Sequence, residues 1–555
     1  MKKFALGSYL PTHLRGSLLP LILILLVCIL YGNFLWNPIV FDDLSFFMVN
    51  HEGHQPVDDY RYSPFELRSL PYASLTWGKA LFGLDMLHFR IENMLLHCAV
   101  VLSLFFFLRR LLASLADSKV ESTIGNEANP QLNSVARFSP EVWAFCAALL
   151  FALHPVAVYA AGYLVQRTIL MATLFSLLAM LAWMRGNERD RAPWLWVSVG
   201  FYYLAVFSKE HAIMLPAILL ALTVVLHEDW SQKLKQHWKP TIGLVLVALF
   251  VVAAKRGVLG SAYEIDAPEM LVEFVGGEPG YLLSVLTQGW LFFKYAGLWL
   301  LPNPNWMSID MREPFATSLW SIYLVAFIAF MAWGSVAVWL LFRRGRLGLL
   351  GFALLFPWLM FMTELSTIRI QESFVLYRSY MWAVGACALL PLLLDRLDRK
   401  IAGIVVGSVA LAMFAISMDR LASFSHPLML WNDAVMLVQD KHHLPGVYRV
   451  YYNRSGAHIG MDNYVAAERD LRIATQLNPN WPFAHNNLGA ALLEQDKWTE
   501  AVKEFSSAIE IANRKHLGLN PRPYFGRAKA YESLGMTELA RKDYAISCRL
   551  GGNGC

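Results

Sequence analysis

The run Ile401-Ala-Gly-Ile-Val-Val-Gly-Ser-Val-Ala-Leu-Ala-Met-Phe-Ala-Ile-Ser-Met418 holds 18 residues without a charge, between Arg399-Lys400 and Asp419-Arg420. A helix needs about 20 apolar residues to cross a bilayer, and 17–25 is the common range. This is the last such run in the chain. Ten others precede it, near 18–36, 91–108, 142–160, 168–184, 193–208, 212–227, 240–254, 319–342, 347–363 and 375–395. The composition agrees: 56% of the 555 residues are hydrophobic and 16% are charged, against about half and about a quarter in soluble domains. That excludes disordered, fibrous, nucleic-acid-binding and disulfide-scaffold classes. The net charge of +5 suits Lys and Arg flanking membrane spans better than a nucleic-acid partner. Cys28, Cys98, Cys146 and Cys387 sit in apolar stretches as small core residues.

Working outward, the Lys/Arg clusters set an orientation. Arg109/Arg110, Arg185/Arg189/Arg191, Lys233/Lys235/Lys239, Arg343/Arg344/Arg346 and Arg396/Arg399/Lys400 fall on one side if the N-terminus is cytoplasmic. The pair Lys255/Arg256 is an exception. The five clusters agree only if the apolar stretch 281–301, which contains Lys294 and runs into Pro302-Asn303-Pro304, does not cross fully. It is expected to be re-entrant or interfacial. The expected fold is therefore all-α: a membrane bundle of about eleven spans plus one re-entrant segment at 1–418, a juxtamembrane linker helix at 419–445, and a C-terminal domain at 446–555 outside the cytoplasm.

The C-terminal part reads as a tetratricopeptide-repeat domain. Asn480-Trp-Pro-Phe-Ala-His-Asn-Asn-Leu-Gly-Ala-Ala-Leu-Leu-Glu-Gln-Asp-Lys-Trp-Thr-Glu-Ala501 has the small/large alternation of a helix hairpin. Ala467 and Ala501 stand 34 apart, as do Ala474 and Ala508. A third unit, with Ala528, Gly535, Ala540 and Tyr544, is displaced by an insertion near His516–Asn520. A 34-residue period is the signature of this repeat, and three units are about the minimum for a stable stack. Such stacks bind peptides on a concave face or serve as packing platforms.

With that orientation, polar residues collect at the outer ends of the spans. They include Asp42/Asp43 and Arg68 in the first outer loop, Asn93 and His97 one helical turn apart, His154, Arg167, Lys209-Glu210-His211, and the loop holding Glu364, Arg369, Glu372 and Arg378. Ionisable groups at membrane depth cost several kcal/mol and are commonly paired or functional. Cations there suit a phosphate ester, and a carboxylate beside them suits a general base. A transporter and a non-catalytic assembly scaffold are the competing classes. No internal repeat appears among the spans.

These pieces, in this order, resemble the GT-C superfamily of polyprenyl-phosphate-dependent glycosyltransferases, on its protein O-mannosyltransferase side, and in particular its transmembrane and tetratricopeptide-repeat proteins. The matching residues are Phe41-Asp42-Asp43, Arg68 with Asn93 and His97, His154-Pro155-Val156 with Arg167, Ser208-Lys209-Glu210-His211-Ala212 with Pro216, Trp306, and Glu372 with Leu376-Tyr377. The family often has Glu five residues after the His of its His-Pro-Val motif; here that place is Tyr159. The resemblance implies sugar transfer from a lipid-phosphate donor to a hydroxyl of an exported protein, with the repeats engaging the acceptor; a lipid or polysaccharide acceptor is the alternative. It implies Asp42 or Asp43 as the base, Asp42 slightly favoured; adjacent residues of an extended loop point opposite ways, so only one of them can face the cavity. It implies Arg167, Lys209, Arg369 and Arg378 at the donor phosphate, and Glu210 and Glu372 orienting these cations. Arg68, Asn93, His97 and His154 would support them, the two histidines also reading as buried links between helices. Some members use a divalent metal and others do not, so the cofactor stays open. A bacterial inner-membrane protein with a periplasmic active face and repeat domain is expected. Cys548 and Cys555 would then lie in an oxidising space, where the Gly-rich stretch between them could close a small loop.

Overall fold

A computed structural model describes residues 12–48, 56–123, 139–254, 270–272, 275–276, 279–518 and 520–552. The Lys255/Arg256 exception and the Cys548–Cys555 loop fall, wholly or at Cys555, outside the described residues. Among the described residues every regular element is a helix. They form two compact units, 1–307 with 315–425, and 308–314 with 426–555.

The first unit is that of a multi-pass membrane protein. Six helices are long and apolar enough to cross, or up to eight when each of two bent pairs counts as one span. All eleven expected stretches hold helix, but two of them, at 192–208 and 210–226, are short. One bend has a clear cause. Pro155 begins a new helix after His154, whose Nδ1 caps it by accepting from the Val156 N–H at 3.2 Å, and the axis turns by 67°.

Ion pairs tie the Lys/Arg clusters into one face. Arg110 pairs with Glu188, Lys233 with Asp190 at 3.0 Å, Arg344 with Glu228 at 2.9 Å, and Arg346 with Asp395. Glu210, Glu364 and the cations around them gather at the other ends of these helices.

The stretch expected to be re-entrant is one unbroken helix, Gly280–Leu300. It is not among the six that are apolar enough to cross. It runs beside the segment 365–379 along its whole length. Tyr281 donates to the Leu365 carbonyl at 3.0 Å, Gln288 to that of Ser373 at 2.9 Å, and the Trp299 indole to Ser379 Oγ at 2.9 Å. One loop thus holds both ends of an unbroken helix, with no re-entrant turn in it.

The expected linker 419–445 is divided. Residues up to Ser423 continue the last apolar helix, Arg399–Ser423, and Pro427–Val438 is a separate helix of the second unit. That unit also takes in 308–314, which sequence alone groups with the membrane part. Three hairpins follow, Val447–Ile459 with Tyr464–Leu477, Pro482–Leu493 with Trp498–Arg514, and Pro521–Ser533 with Thr537–Arg549. The periodic alanines Ala467, Ala474, Ala501 and Ala508 are all buried. A Cβ at Gly489 would stand 2.9 Å from the Phe505 ring, and one at Gly526 would stand 2.3 Å from it. Two successive hairpins therefore close on the same phenyl ring. An Arg–Asp pair 16 residues apart recurs in the first and third hairpins, Arg454 with Asp470 and Arg527 with Asp543.

Ala501 lies in the same core cluster as Phe505. Ala501→Trp is expected to overpack the second hairpin and to cost about 3 kcal/mol or more. Faster hydrogen exchange across 482–533 in the full-length protein would register it; unchanged protection would mean that the hairpins do not close on this residue.

Candidate active site

The first outer loop does not present its acids on an extended chain. Asp42 and Asp43 open a short helix, Asp42–Phe47. A negative charge in a first helical turn is favourable. The residue before them, Phe41, has φ 51°, a conformation that a bulky side chain rarely adopts. This strain turns the chain so that Phe41 stacks on Tyr163, with ring centroids 6.4 Å apart. Asp42 is exposed, and Asp43 is wholly buried.

One segment holds both acids. The Asp42 N–H donates to Tyr163 Oη at 2.8 Å, and the Val165 N–H donates to Asp43 Oδ1 at 2.9 Å. Asp43 Oδ2 is buried without a hydrogen-bond partner. Asn93 fastens the segment by donating to the Leu164 carbonyl at 3.2 Å. Arg90 donates to the carbonyls of Asn37 at 2.8 Å and Gly162 at 3.0 Å, joining the loop to the same segment.

Burial pushes the Asp43 carboxyl up to about 7, against the Val165 bond and the nearby Arg90 charge. A rise from 3.8 to about 7 amounts to roughly 4 kcal/mol in favour of the protonated form. Between these values the folded protein holds a proton that the unfolded chain releases, so stability falls as pH rises through this window and levels off above it. Asp43→Asn keeps an acceptor for Val165 and removes the titration. Its melting temperature relative to wild type is expected to rise between pH 5 and pH 8. A fall over that range would mean that Asp43 is ionised and paired in the fold.

The cations form a second group. Lys209 is the extended residue between the helix Ala192–Ser208 and a 3-10 turn at Glu210–Met214. Its side chain is buried, and its ammonium lies 5.4 Å from the centroid of the Tyr377 ring. Among the described residues it makes no hydrogen bond or ion pair. Burial and the nearby charges of Arg68, Arg369 and Arg378 hold this amine well below the usual lysine pKa, against the attraction of Glu210. Arg68 is clamped in a fork to Glu210, with Nε donating to Oε2 at 3.0 Å. Glu364 is wholly buried and joins three partners: His211 Nε2 at 2.7 Å, Arg378 Nη1 at 3.0 Å and Arg369 Nε at 3.2 Å. Glu364 thus touches these cations alongside Glu372, whose charge acts on Arg378 and whose carbonyl accepts from it at 3.4 Å.

Tyrosines connect the two groups. Tyr163 meets Tyr377 edge-to-face with centroids 6.4 Å apart. A chain of contacts thus runs from Asp42 through Tyr163 and Tyr377 to Lys209.

Other expected residues lie outside this line. Arg167 is buried, with Nε donating to Asn93 Oδ1 at 2.9 Å, Nη1 to Ser74 Oγ at 3.1 Å, and Nη2 paired with Glu92 at 2.7 Å. Its donors are engaged by protein, and through Asn93 it braces the segment that holds the acids. His97 joins Tyr380 Oη at 2.7 Å and the Ala152 carbonyl at 3.3 Å. His154 uses Nδ1 as an acceptor, so its proton is on Nε2, which donates to the Trp299 carbonyl at 3.2 Å. Both histidines are buried helix-to-helix links. Sequence alone assigns no role to Arg90, Tyr163, His211 or Glu364; only long-range contacts identify them. A divalent metal does not fit the acid pair. One carboxylate is exposed and the other buried, and among the described residues no group of three or more His, Cys, Asp or Glu could hold an ion.

Fold and site together define a multi-pass helical membrane protein with a paired acid and cation site and a tetratricopeptide-type helical domain. No family model matches the chain. It is 23% identical over 561 residues to the protein O-mannosyl-transferase Tmtc3 of Drosophila melanogaster, an alignment that takes in 90% of this chain and 55% of that protein. The chain thus spans about half the length of that relative. Among solved structures, a chain of the APC/C hetero-tetramer Cut9-Hcn1 matches over 88% of this chain and 80% of its own length, at 14% identity and a TM-score of 0.20. That likeness carries no argument.

Proposed function

We propose that this protein is a membrane glycosyltransferase that moves a sugar from a polyprenyl-phosphate donor to a Ser or Thr hydroxyl of a protein on the non-cytoplasmic face. The observation that carries this reading is the chain of contacts that links Asp42 and Asp43 through Tyr163 and Tyr377 to the buried Lys209. The name of the fly relative supports the same class of reaction.

In the reaction, Asp42 takes the proton of the acceptor hydroxyl. The freed oxygen forms a bond to the anomeric carbon of the sugar as the bond from that carbon to the phosphate oxygen breaks. The electron pair of the breaking bond stays on the phosphate, which Lys209 neutralises, and the lipid phosphate leaves. Tyr163 fixes the Asp42 backbone, Asp43 anchors the loop to Val165, and Glu364 holds Arg369 and Arg378 near the ammonium. The repeat domain would present the acceptor, since a stack of helix hairpins offers an extended groove.

Intact-mass spectrometry of exported proteins, with and without the gene, tests this reading. A hexose-sized increment that disappears with the gene is expected. Unchanged protein masses alongside an altered lipid or polysaccharide would move the acceptor to the alternative class. No change in any of them would remove glycosyl transfer.

A further inference from the structure

We infer that Tyr377 is the platform on which the transferred hexopyranosyl ring lies, a sugar subsite between the phosphate cation and the base. The inference rests on the proposed transfer reaction.

In any such transfer the reacting groups have a fixed order: phosphate, anomeric carbon, acceptor oxygen, base. The contacts run in a matching order, from Lys209 to Tyr377 to Tyr163 to Asp42. The ammonium lies 5.4 Å from the Tyr377 ring centroid, the two tyrosine centroids are 6.4 Å apart, and Tyr163 Oη is 2.8 Å from the Asp42 nitrogen. A phosphate at Lys209 therefore carries its sugar over Tyr377. Tyr377 is half-buried and presents part of its ring, whereas Tyr163 is wholly buried and serves as the wall. The face of an aromatic ring is electronegative and attracts both the polarised C–H groups of a pyranose and the positive charge that develops at the anomeric carbon. The backbone supports the position. Tyr377 lies in the 3-10 turn Leu376–Arg378, and Arg378 within it is pinned to Glu364 at 3.0 Å.

The test is calorimetric binding of two probes to the full-length protein in detergent: farnesyl phosphate, and farnesyl phosphate carrying mannose. Tyr377→Leu is expected to weaken the mannose-bearing probe by about tenfold and to leave farnesyl phosphate within about twofold of wild type, which also shows that the variant is folded. Tyr377→Phe keeps the ring and should keep the wild-type preference for the mannose-bearing probe. Lys209→Met should weaken both together. Equal weakening of the two probes by Tyr377→Leu, or of neither, overturns the platform while leaving the transfer reaction in place. A wild-type protein that binds neither probe removes the transfer reaction, and the platform with it.

Discussion

Asp42→Asn is expected to lower sugar transfer by about 10²–10⁴-fold, the usual loss when a general base is removed. The substitution keeps the size of the side chain. It also keeps the bond from the Asp42 N–H to Tyr163 Oη, because that bond uses the backbone. Expression, melting temperature and binding of a prenyl phosphate should therefore stay near wild type while turnover falls. Asp43→Asn should leave turnover less affected, since Asp43 faces Val165 and is shut off from solvent. Full activity in Asp42→Asn together with an inactive Asp43→Asn would exchange the two roles. Full activity in both would take the loop out of the chemistry and restore the transporter or scaffold reading.

Glu364→Gln is expected to be the most damaging single change to stability. It leaves Arg369 and Arg378 buried beside an uncharged side chain, and His211 without its carboxylate. Breaking a buried ion pair from one side costs about 3–5 kcal/mol, because the remaining charge loses its compensation. A large drop in melting temperature in detergent, or failure to accumulate, is the expected result. Adding Arg369→Gln should recover part of the loss, so that the double variant is less damaged than the sum of the singles. Strict additivity would mean that the two side chains act independently despite their 3.2 Å separation.

The spans and the repeats are legible in the order of residues because their signals are local. An apolar run of spanning length excludes other solutions wherever it occurs, and small residues at a 34-residue period mark where hairpins touch. The Lys/Arg clusters likewise point to one basic face, and the ion pairs among them bring that face together. The candidate site is legible as a set of residues and not as an arrangement. Asp42 and Asp43 are chemically identical neighbours, and which one is buried depends on the strained turn at Phe41 and on the segment from Tyr163 to Val165. Glu372 and Glu364 lie in one loop, and nothing in that loop says that Glu364 is the carboxylate that His211, Arg369 and Arg378 share.

Hydropathy and periodicity are enough to specify a helical membrane protein with a helical repeat domain and charge gathered at one end of its spans. Both act over a few turns of chain, so they hold without knowledge of packing. Which charges are paired and which remain available is a matter of packing alone. His211 meets Glu364 across 153 residues, and Arg68 meets Glu210 across 142. Arg167 is closed off by Asn93, Ser74 and Glu92, while Lys209 is left beside Tyr377. A buried charge takes the state its neighbours in space allow, and those neighbours are set by how the helices pack.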